Sequence, residues 1–452
     1  MSNVMHRTTR PNLTTVASGD GVYLIDKSGN KVLDACGGAA VSCLGHSNER
    51  VKQAIIKQVS KIPYAHSSFF TNEPQEQLAE ELIEYSQGDF SQVYFVSGGS
   101  EAVETALKLS RQYFLEQGKE DKKYFIARKQ SYHGNTLGAL AIGGNLWRRK
   151  PFDPLLVAGH HISAPYEYRD KQANETAFEY GQRIANELET KILELGEKNV
   201  AAFVAETVVG ATAGALTAPQ GYYKRIREIC DQYDVLLILD EIMCGMGRTG
   251  SLHACEDEGI QGDLQTIAKG LAAGYQPLGA VLISKKIVEA IESGTGFFQH
   301  GHTYIGHATA CAAGLATQLE IRERDLLSNV RFQGDNLVNH LKSSFSALPE
   351  LTQYIGDIRG RGLFIGIELV ADKESKQPFD PALKLHAQIK KQAMGNHLMI
   401  YPMGGTIDGV QGDHILLAPP FIINEDHVLQ IVERLTQTIQ SVCTKAVKKG
   451  GV

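Results

Sequence analysis

Two widely separated residues, Asp240 and Lys269, are an acid and an amine whose sequence surroundings make them candidates for catalysis. Asp240 follows Val235 to Leu239, a short apolar run that predicts a strand buried on both faces of a parallel sheet. Such a strand delivers the carboxylate to the C-terminal edge of the sheet, where open α/β sheets bind ligands. Lys269 has no acid within four residues on either side. We therefore expect an unpaired, partly desolvated amine with a lowered pKa, which is a candidate nucleophile.

Either residue alone is weak evidence, because most lysines are solvated surface groups and many strand-ending aspartates are structural. Together they fit the chemistry of pyridoxal 5'-phosphate (PLP). In that chemistry a lysine binds the aldehyde covalently, and an aspartate keeps the pyridine nitrogen protonated. The rest of the chain must then supply a phosphate cradle and an aromatic ring that stacks on the cofactor.

A candidate phosphate cradle lies at Ser97 to Ala102, between a predicted strand, Gln92 to Val96, and a helix predicted to end near Leu115. Small residues such as Gly99 and Ser100 let backbone N–H groups approach an anion, and the helix dipole favours negative charge at this end. A P-loop is excluded, because the Gly-Lys-Ser/Thr sequence is absent. A capped helix after a strand is the alternative interpretation.

Tyr132 is the candidate stacking aromatic. It follows the next predicted strand, Lys123 to Ala127, in the order that would bring it to the same edge of the sheet. A tyrosine in a loop is more often a packing or interface residue, so this prediction depends on its position relative to the cradle.

Composition excludes several classes of function. The net charge of −6 comes without a basic stripe, so neither nucleic acid nor an anionic membrane is an expected partner. No apolar run approaches the roughly 20 residues of a membrane span, and residues 1–12 are too polar for a secretory signal. Seven cysteines without a CxxC pair predict a reducing compartment, no structural zinc and a cytoplasmic protein.

The order of predicted elements indicates an α/β protein. Strands and helices alternate from residue 92 to residue 285, which predicts a mainly parallel sheet covered by helices. Residues 1–60 are predicted to contribute to a smaller α+β domain, residues 61–325 to form the large domain, and residues 326–452 to complete the small one. The small domain is thus expected to be built from both chain ends, since neither end can bury its own apolar face.

Three other patterns have competing interpretations. Gly245 to Gly250 matches the dinucleotide-binding pattern G-x-G-x-x-G, but the residues after it make a poor helix. His300, His302 and His307 could ligate a metal, but no carboxylate or cysteine joins them at ligand spacing, so no metal site is predicted. A hydrolase is unsupported, because no G-x-S-x-G elbow is present.

Taken in order, the motifs resemble those of the class III (omega) aminotransferases, PLP enzymes of fold type I. The resemblance extends from about Gly19 to Pro420 and rests on the following segments: Ser97 to Ala102, Tyr132-His133-Gly134, Asp240-Glu241-Ile242, Gly247 to Gly250, Ala268-Lys269-Gly270 and His302 to His307.

The resemblance implies a role for each motif. Lys269 would bind the cofactor aldehyde and move protons, and Asp240 would pair with the ring nitrogen. Gly99 and Ser100 would hold the phosphate. The remaining cofactor contacts would come from Tyr132 on one ring face, Ile242 on the other, His133 and Glu206 beside the ring, and Thr303, which would reach the phosphate of a neighbouring subunit. The active unit would then be a homodimer.

The substrate is less determined. Relatives that act on ornithine or 4-aminobutyrate carry a gating Glu where this chain has Ala211, and many relatives carry an arginine for the oxo-acid carboxylate in a stretch where this chain has none, Gly362 to Glu433. The leading hypothesis is transfer of an amino group from a primary amine or omega-amino acid to a small 2-oxo acid such as pyruvate. Racemase, aminomutase or decarboxylase chemistry on PLP is the alternative, and a PLP-binding protein without activity is disfavoured by the presence of both Asp240 and Lys269.

Overall fold

A computed structural model of the chain describes residues 3–8 and 13–450. Residues 1, 2, 9–12, 451 and 452, including half of the stretch interpreted as lacking a secretory signal, lie outside the described residues. Within the described ranges, no helix is both long and apolar enough to cross a membrane.

The central sheet of the described chain has seven strands, and the carboxyl ends of its parallel strands form the edge on which the predicted site depends. In spatial order the strands are Phe90–Val96, Gly279–Ser284, Leu264–Ile267, Leu236–Asp240, Val200–Glu206, Tyr124–Arg128 and His160–Ile162. Gly279–Ser284 runs in the opposite direction to the other six strands. Every residue of Val200–Glu206 and of Leu236–Asp240 is buried, as continuous apolar runs predict. The mainly parallel α/β sheet is therefore confirmed.

Helices cover both faces of this sheet, and each face has its own apolar core. The α-helices are Glu73–Tyr85, Gly99–Glu116, Leu137–Ile142, Leu146–Arg149, Glu167–Asp170, Ala177–Leu195, Tyr222–Gln232, Lys285–Ser293 and Ala308–Glu323. Short 3-10 helices occupy Lys150–Leu155, Glu197–Asn199, Ala254–Glu258 and Lys269–Leu271, and a two-stranded ribbon pairs Val208–Val209 with Leu216–Thr217.

Both ends of the chain contribute to one smaller sheet. Three antiparallel strands near the N-terminus, Val16–Asp20, Tyr23–Asp26 and Lys31–Asp34, are joined by Leu398–Met399, which runs parallel to the third. The alternating segments Gly21 to Asp26 and Lys31 to Asp34 predict a hairpin, and the structure contains it, with one more strand on its N-terminal side. The helix Glu49–Lys61 follows, capped by Asn48, after a short turn of helix at Gly37–Ala40.

A second antiparallel sheet lies in the C-terminal part. Its strand order is Ile355–Arg361, Phe364–Leu369, Asp413–Leu417 and Tyr401–Gly404. Helices Leu326–Ser346, Pro349–Thr352, Leu385–Gly395 and Glu425–Gly450, and the 3-10 helix Pro381–Leu383, complete this part. The domain boundaries at residues 60 and 325 remain predictions.

Several elements differ from the sequence-based prediction. The sequence predicts a helix over about Pro381 to Gly395, whereas the helix begins only at Leu385, because Lys384 adopts a left-handed φ of 49° and ends the 3-10 turn before it. The strands Leu264–Ile267, Ile355–Arg361 and His160–Ile162 were not predicted. Each is short, polar or rich in glycine, so its alternation is too weak to detect in the sequence.

Candidate active site

Three neighbouring parallel strands bring the three candidate chemical groups to one edge of the central sheet. Asp240 and Glu206 are the last residues of their strands and are directly paired in register. Lys269 follows the third strand, Leu264–Ile267, after one intervening residue. Because carboxyl ends of parallel strands meet at one edge, the predicted convergence of Asp240 and Lys269 is what the fold produces.

These groups border a cavity of about 380 Å³. Eight of the nine predicted site residues line it: Gly99, Ser100, Tyr132, His133, Glu206, Asp240, Ile242 and Lys269. The ninth, Thr303, is exposed and lies outside the cavity lining. Val41, Met243, Gln276 and Pro277 also line the cavity, and they could not be predicted because they lie in loops without a motif.

The Asp240 carboxylate is buried and held by two donors. His133 Nδ1 lies 2.7 Å from Asp240 Oδ2, and the backbone N–H of Ile242 donates to Oδ1 at 3.1 Å. His133 Nε2 is buried and has no hydrogen-bond partner among the described residues. The imidazole therefore contacts the carboxylate through one nitrogen only, and this contact fixes the carboxylate's orientation toward the cavity.

Glu206 is the second buried acid of the site. Its carboxylate accepts hydrogen bonds from the backbone N–H of Tyr132 at 3.0 Å and of Gly210 at 2.8 Å. Burial raises the pKa of Glu206, the positive field of His133 lowers it, and the nearby Asp240 charge raises it further. The two acids of the site therefore differ in their surroundings, because only Asp240 receives a side-chain donor.

Lys269 lines the cavity from a left-handed backbone conformation, with φ at 46°. That conformation is costly for a non-glycine residue and is typical of functional sites. Burial lowers the pKa of the Lys269 amine, while Asp240 and Glu206 oppose the shift. The neutral, nucleophilic amine is therefore more accessible here than on a solvated lysine.

The turn before helix Gly99–Glu116 has the geometry of an anion cradle. Glu101 accepts the backbone N–H of Ser97 at 2.8 Å, which closes the turn, and Ser100 Oγ accepts the N–H of Asn135 at 3.0 Å. A Cβ atom added to Gly99 would lie 2.9 Å from the Ile242 side chain. The site thus has room for a ligand beside Ile242 only because residue 99 is glycine.

A family model described as aminotransferase class-III matches residues 4–439 of the chain. The chain belongs to this family. An aminotransferase of Gibberella zeae is 44% identical to this aminotransferase over 96% of the chain and 85% of the relative. A diaminobutyrate--2-oxoglutarate transaminase of Halomonas elongata is 34% identical over 97% and 92%. The omega transaminase of Pseudomonas jessenii, solved in complex with PMP, has a TM-score of 0.90 and 33% identity, covering 97% of this chain and 94% of that one.

These comparisons confirm fold type I, aminotransferase activity and dependence on PLP. When bound, PLP supplies an aldehyde that takes up the amino group and a cationic ring that accepts electrons. The residues of this aminotransferase fit the group: a cradle that a Cβ would fill, a buried carboxylate aimed into the cavity, and an amine with a lowered pKa.

The competing patterns of the sequence have other places in the fold. Gly245 to Gly250 forms a series of turns and opens no helix. His300 contacts Thr105 Oγ1 at 3.0 Å and Lys108 Nζ at 3.3 Å. In the part of the chain that the structure describes, no group of three or more His, Cys, Asp or Glu side chains could hold a metal ion.

Proposed function

We propose that this aminotransferase moves an amino group from a primary amine or omega-amino acid to a small 2-oxo acid such as pyruvate. The observation that carries the proposal is the cavity wall formed by Val41, Ala211 and Met243. Ala211 stands where relatives acting on ornithine or 4-aminobutyrate carry an acid, so this wall offers no partner to a second charged group on the donor. An apolar wall suits an amine with an uncharged body, because a charged one would lose hydration without compensation.

Lys269, Asp240 and Glu206 have different chemical roles in the cofactor site. Lys269 would hold the cofactor aldehyde, and its amine, with its lowered pKa, could accept and donate a proton at the reacting carbon. Asp240, oriented by His133, holds the proton on the ring nitrogen, because a carboxylate beside a cation favours its charged form. Glu206 stands beside Asp240 and ties the loop at Tyr132 to the site through its hydrogen bond.

The remaining residues hold the cofactor. Gly99 and Ser100 bind the phosphate at the helix N-terminus, where unsatisfied backbone N–H groups and the helix dipole favour an anion. Tyr132 stacks on one face of the ring, and Ile242 packs on the other.

The active unit in this proposal is a homodimer, with Thr303 reaching the phosphate of the neighbouring subunit. Exposed aromatic side chains support it: Phe69 and Phe70 lie on one segment, and Tyr304 lies on the segment of Thr303. The two segments touch, since the rings of Tyr64 and Tyr304 are 5.8 Å apart. Neighbouring exposed aromatic side chains are typical of protein interfaces. We also propose a cytoplasmic location, supported by seven cysteines that are all buried and free.

A donor panel tests the function. Holoenzyme is mixed with single amines and omega-amino acids, and the cofactor spectrum records conversion of the aldehyde form to the aminated form. Pyruvate or 2-oxoglutarate is then added. We expect apolar primary amines to convert the cofactor and pyruvate to restore it. Restoration by 2-oxoglutarate alone would contradict the choice of a small oxo acid, and full turnover by Lys269→Ala would contradict the role of Lys269. A reaction that proceeds without oxo acid would indicate the racemase or decarboxylase alternative.

A further inference from the structure

The proposed acceptor carries a carboxylate, and such a group requires a cationic partner when it enters a partly dehydrated site. The stretch Gly362 to Glu433 carries no arginine. The partner must therefore come from another part of the fold.

Arg148 lies beside the cavity, and its guanidinium forms no ion pair with the described residues. Its Cζ atom lies 4.6 Å from the centroid of the Tyr132 ring, and Tyr132 lines the cavity. The Arg148 Nε is buried without a hydrogen-bond partner, and among the described residues no carboxylate forms an ion pair with Arg148. A half-buried guanidinium with free N–H groups is a receptor for a planar carboxylate, because its fork can donate two parallel hydrogen bonds.

The neighbouring Arg149 is a contrast on the same short helix. Its Nη1 lies 3.5 Å from His161 Nδ1, and its Nε lies 4.0 Å from Asp153 Oδ1. Its charge is therefore already engaged within the chain, whereas the Arg148 guanidinium lies against the rings of Tyr132 and Trp147. The two arginines form a matched pair for experiment.

The electrostatics agree with this placement. Burial raises the pKa of the Tyr132 phenol, and the positive charge of Arg148 opposes part of that rise. The guanidinium is thus close enough to act on the ring that borders the site.

A chain of hydrogen bonds fixes the position of Arg148. Asn145 caps its helix, since Asn145 Oδ1 accepts the backbone N–H of Arg148 at 3.3 Å. The Asn145 amide donates to Gln130 Oε1 at 3.0 Å. The Gln130 amide in turn donates to the carbonyl oxygens of Gly405 at 2.6 Å and Thr406 at 3.0 Å.

The glycine-rich loop Gly404 to Gly412 therefore braces this helix. A Cβ atom added to Gly409 would lie 3.3 Å from the backbone nitrogen of Trp147, so the loop backbone packs directly against the residue before Arg148. This loop carries no arginine of its own. It instead supports the helix that carries Arg148.

We propose that Arg148 binds the carboxylate of the 2-oxo acid from the Tyr132 side of the cavity. This inference rests on the proposed function, because it assumes an acceptor that carries a carboxylate. The substrate class it implies is a compound with a carboxylate next to the reacting carbon, held by a bidentate ion pair.

The experiment compares holoenzymes of the wild type, Arg148→Gln, Arg148→Lys and Arg149→Gln. Each is first converted to the aminated form, and the return of the aldehyde spectrum is then followed with pyruvate and with propanal, which has no carboxylate. A second readout is the inhibition constant of propionate, a carboxylate that cannot react. The ratio of the two rate constants isolates the carboxylate, because both acceptors need the same cofactor chemistry.

For Arg148→Gln we expect the pyruvate-to-propanal ratio to fall about 10- to 100-fold, and propionate inhibition to weaken by a similar factor. Arg148→Lys is expected to lie in between, since an ammonium gives one charge without the bidentate fork. Arg149→Gln is expected to stay within about twofold of the wild type. An unchanged ratio and unchanged propionate inhibition in Arg148→Gln, with normal cofactor occupancy, would overturn the inference and leave the proposed function standing. Failure of the wild type to accept pyruvate would instead remove the proposed function, while propionate binding would still test Arg148.

Discussion

His133 Nδ1 lies 2.7 Å from Asp240 Oδ2, and both side chains are buried. An ionised carboxylate can only accept hydrogen bonds, so the hydrogen between these atoms belongs to the imidazole. The donor that fixes the carboxylate, His133, thus follows a different strand from the one that ends at Asp240. This pairing connects the loop of the proposed stacking residue, Tyr132, with the acid proposed to control the charge of the cofactor ring.

Replacing His133 by Leu is expected to lower kcat about 10- to 100-fold with little loss of bound cofactor. The buried carboxylate of Asp240 loses one charged hydrogen bond, which is worth about 1.5–3 kcal/mol. Steady-state kinetics and cofactor absorbance measure the two effects separately. His133→Asn is the matched control, because its amide can donate from nearly the same position and should recover most of the rate. Full activity of the Leu variant would argue against an orienting role.

Replacing Gly99 by Ala is expected to weaken PLP binding about tenfold. The added Cβ would lie 2.9 Å from Cδ1 and Cγ2 of Ile242, which must move toward the proposed ring position. The dissociation constant of PLP from the reconstituted apoenzyme provides the measurement. Gly395→Ala is the control, since no atom lies within 4 Å of its added Cβ. An unaltered dissociation constant for Gly99→Ala would place the cradle elsewhere.

The sequence pattern was sufficient to predict Asp240 at the C-terminal edge of the sheet, because an uninterrupted apolar run identifies its buried parallel strand. It was not sufficient to predict the strand Leu264–Ile267, whose polar Gln265 and Thr266 are buried through contacts made elsewhere in the fold. The local sequence pattern identifies apolar buried strands, whereas a polar buried strand is determined by tertiary contacts.

Arg148 was also beyond sequence analysis. Its position depends on Gln130, whose amide joins two parts of the chain separated by 275 positions. No periodicity or motif links those segments. The adjacent Arg149, which has an ordinary ion pair, cannot be distinguished from Arg148 by the local sequence.

Replacing Gln130 by Leu tests that connection. The substitution removes the donors to Gly405 and Thr406 and the acceptor for Asn145, so the helix of Arg148 loses its brace. We expect the pyruvate-to-propanal ratio to fall several-fold, less than in Arg148→Gln. The double variant decides between positioning and general damage. If Gln130 acts through Arg148, Gln130→Leu should add no further change to the ratio once Arg148 is Gln. An additive effect would contradict the connection.

Glu241, the residue after Asp240, is predicted to make stability depend on pH. Its carboxyl group is buried and accepts the Thr207 hydroxyl at 2.7 Å and the backbone N–H groups of Ala254 at 2.7 Å and Cys255 at 2.8 Å. Burial nevertheless raises the pKa of Glu241 from 4.5 to about 7, and these hydrogen bonds only oppose the rise. Between these two pH values the folded protein holds a proton that the unfolded chain has lost.

Because the folded state binds more protons in this window, raising the pH from 4.5 to 7 lowers the free energy of unfolding. The contribution of Glu241 is on the order of 3 kcal/mol across the window. Urea unfolding of the holoenzyme at saturating PLP measures it as the difference in pH dependence between the wild type and Glu241→Gln. We expect the free energy of unfolding of the Gln variant to fall less steeply with pH than that of the wild type. It should also be less stable at pH 4.5, because its amide places a donor against a backbone donor. The exposed Glu292→Gln serves as control and should keep the wild-type slope, whereas an unchanged slope in Glu241→Gln would mean that Glu241 is ionised throughout.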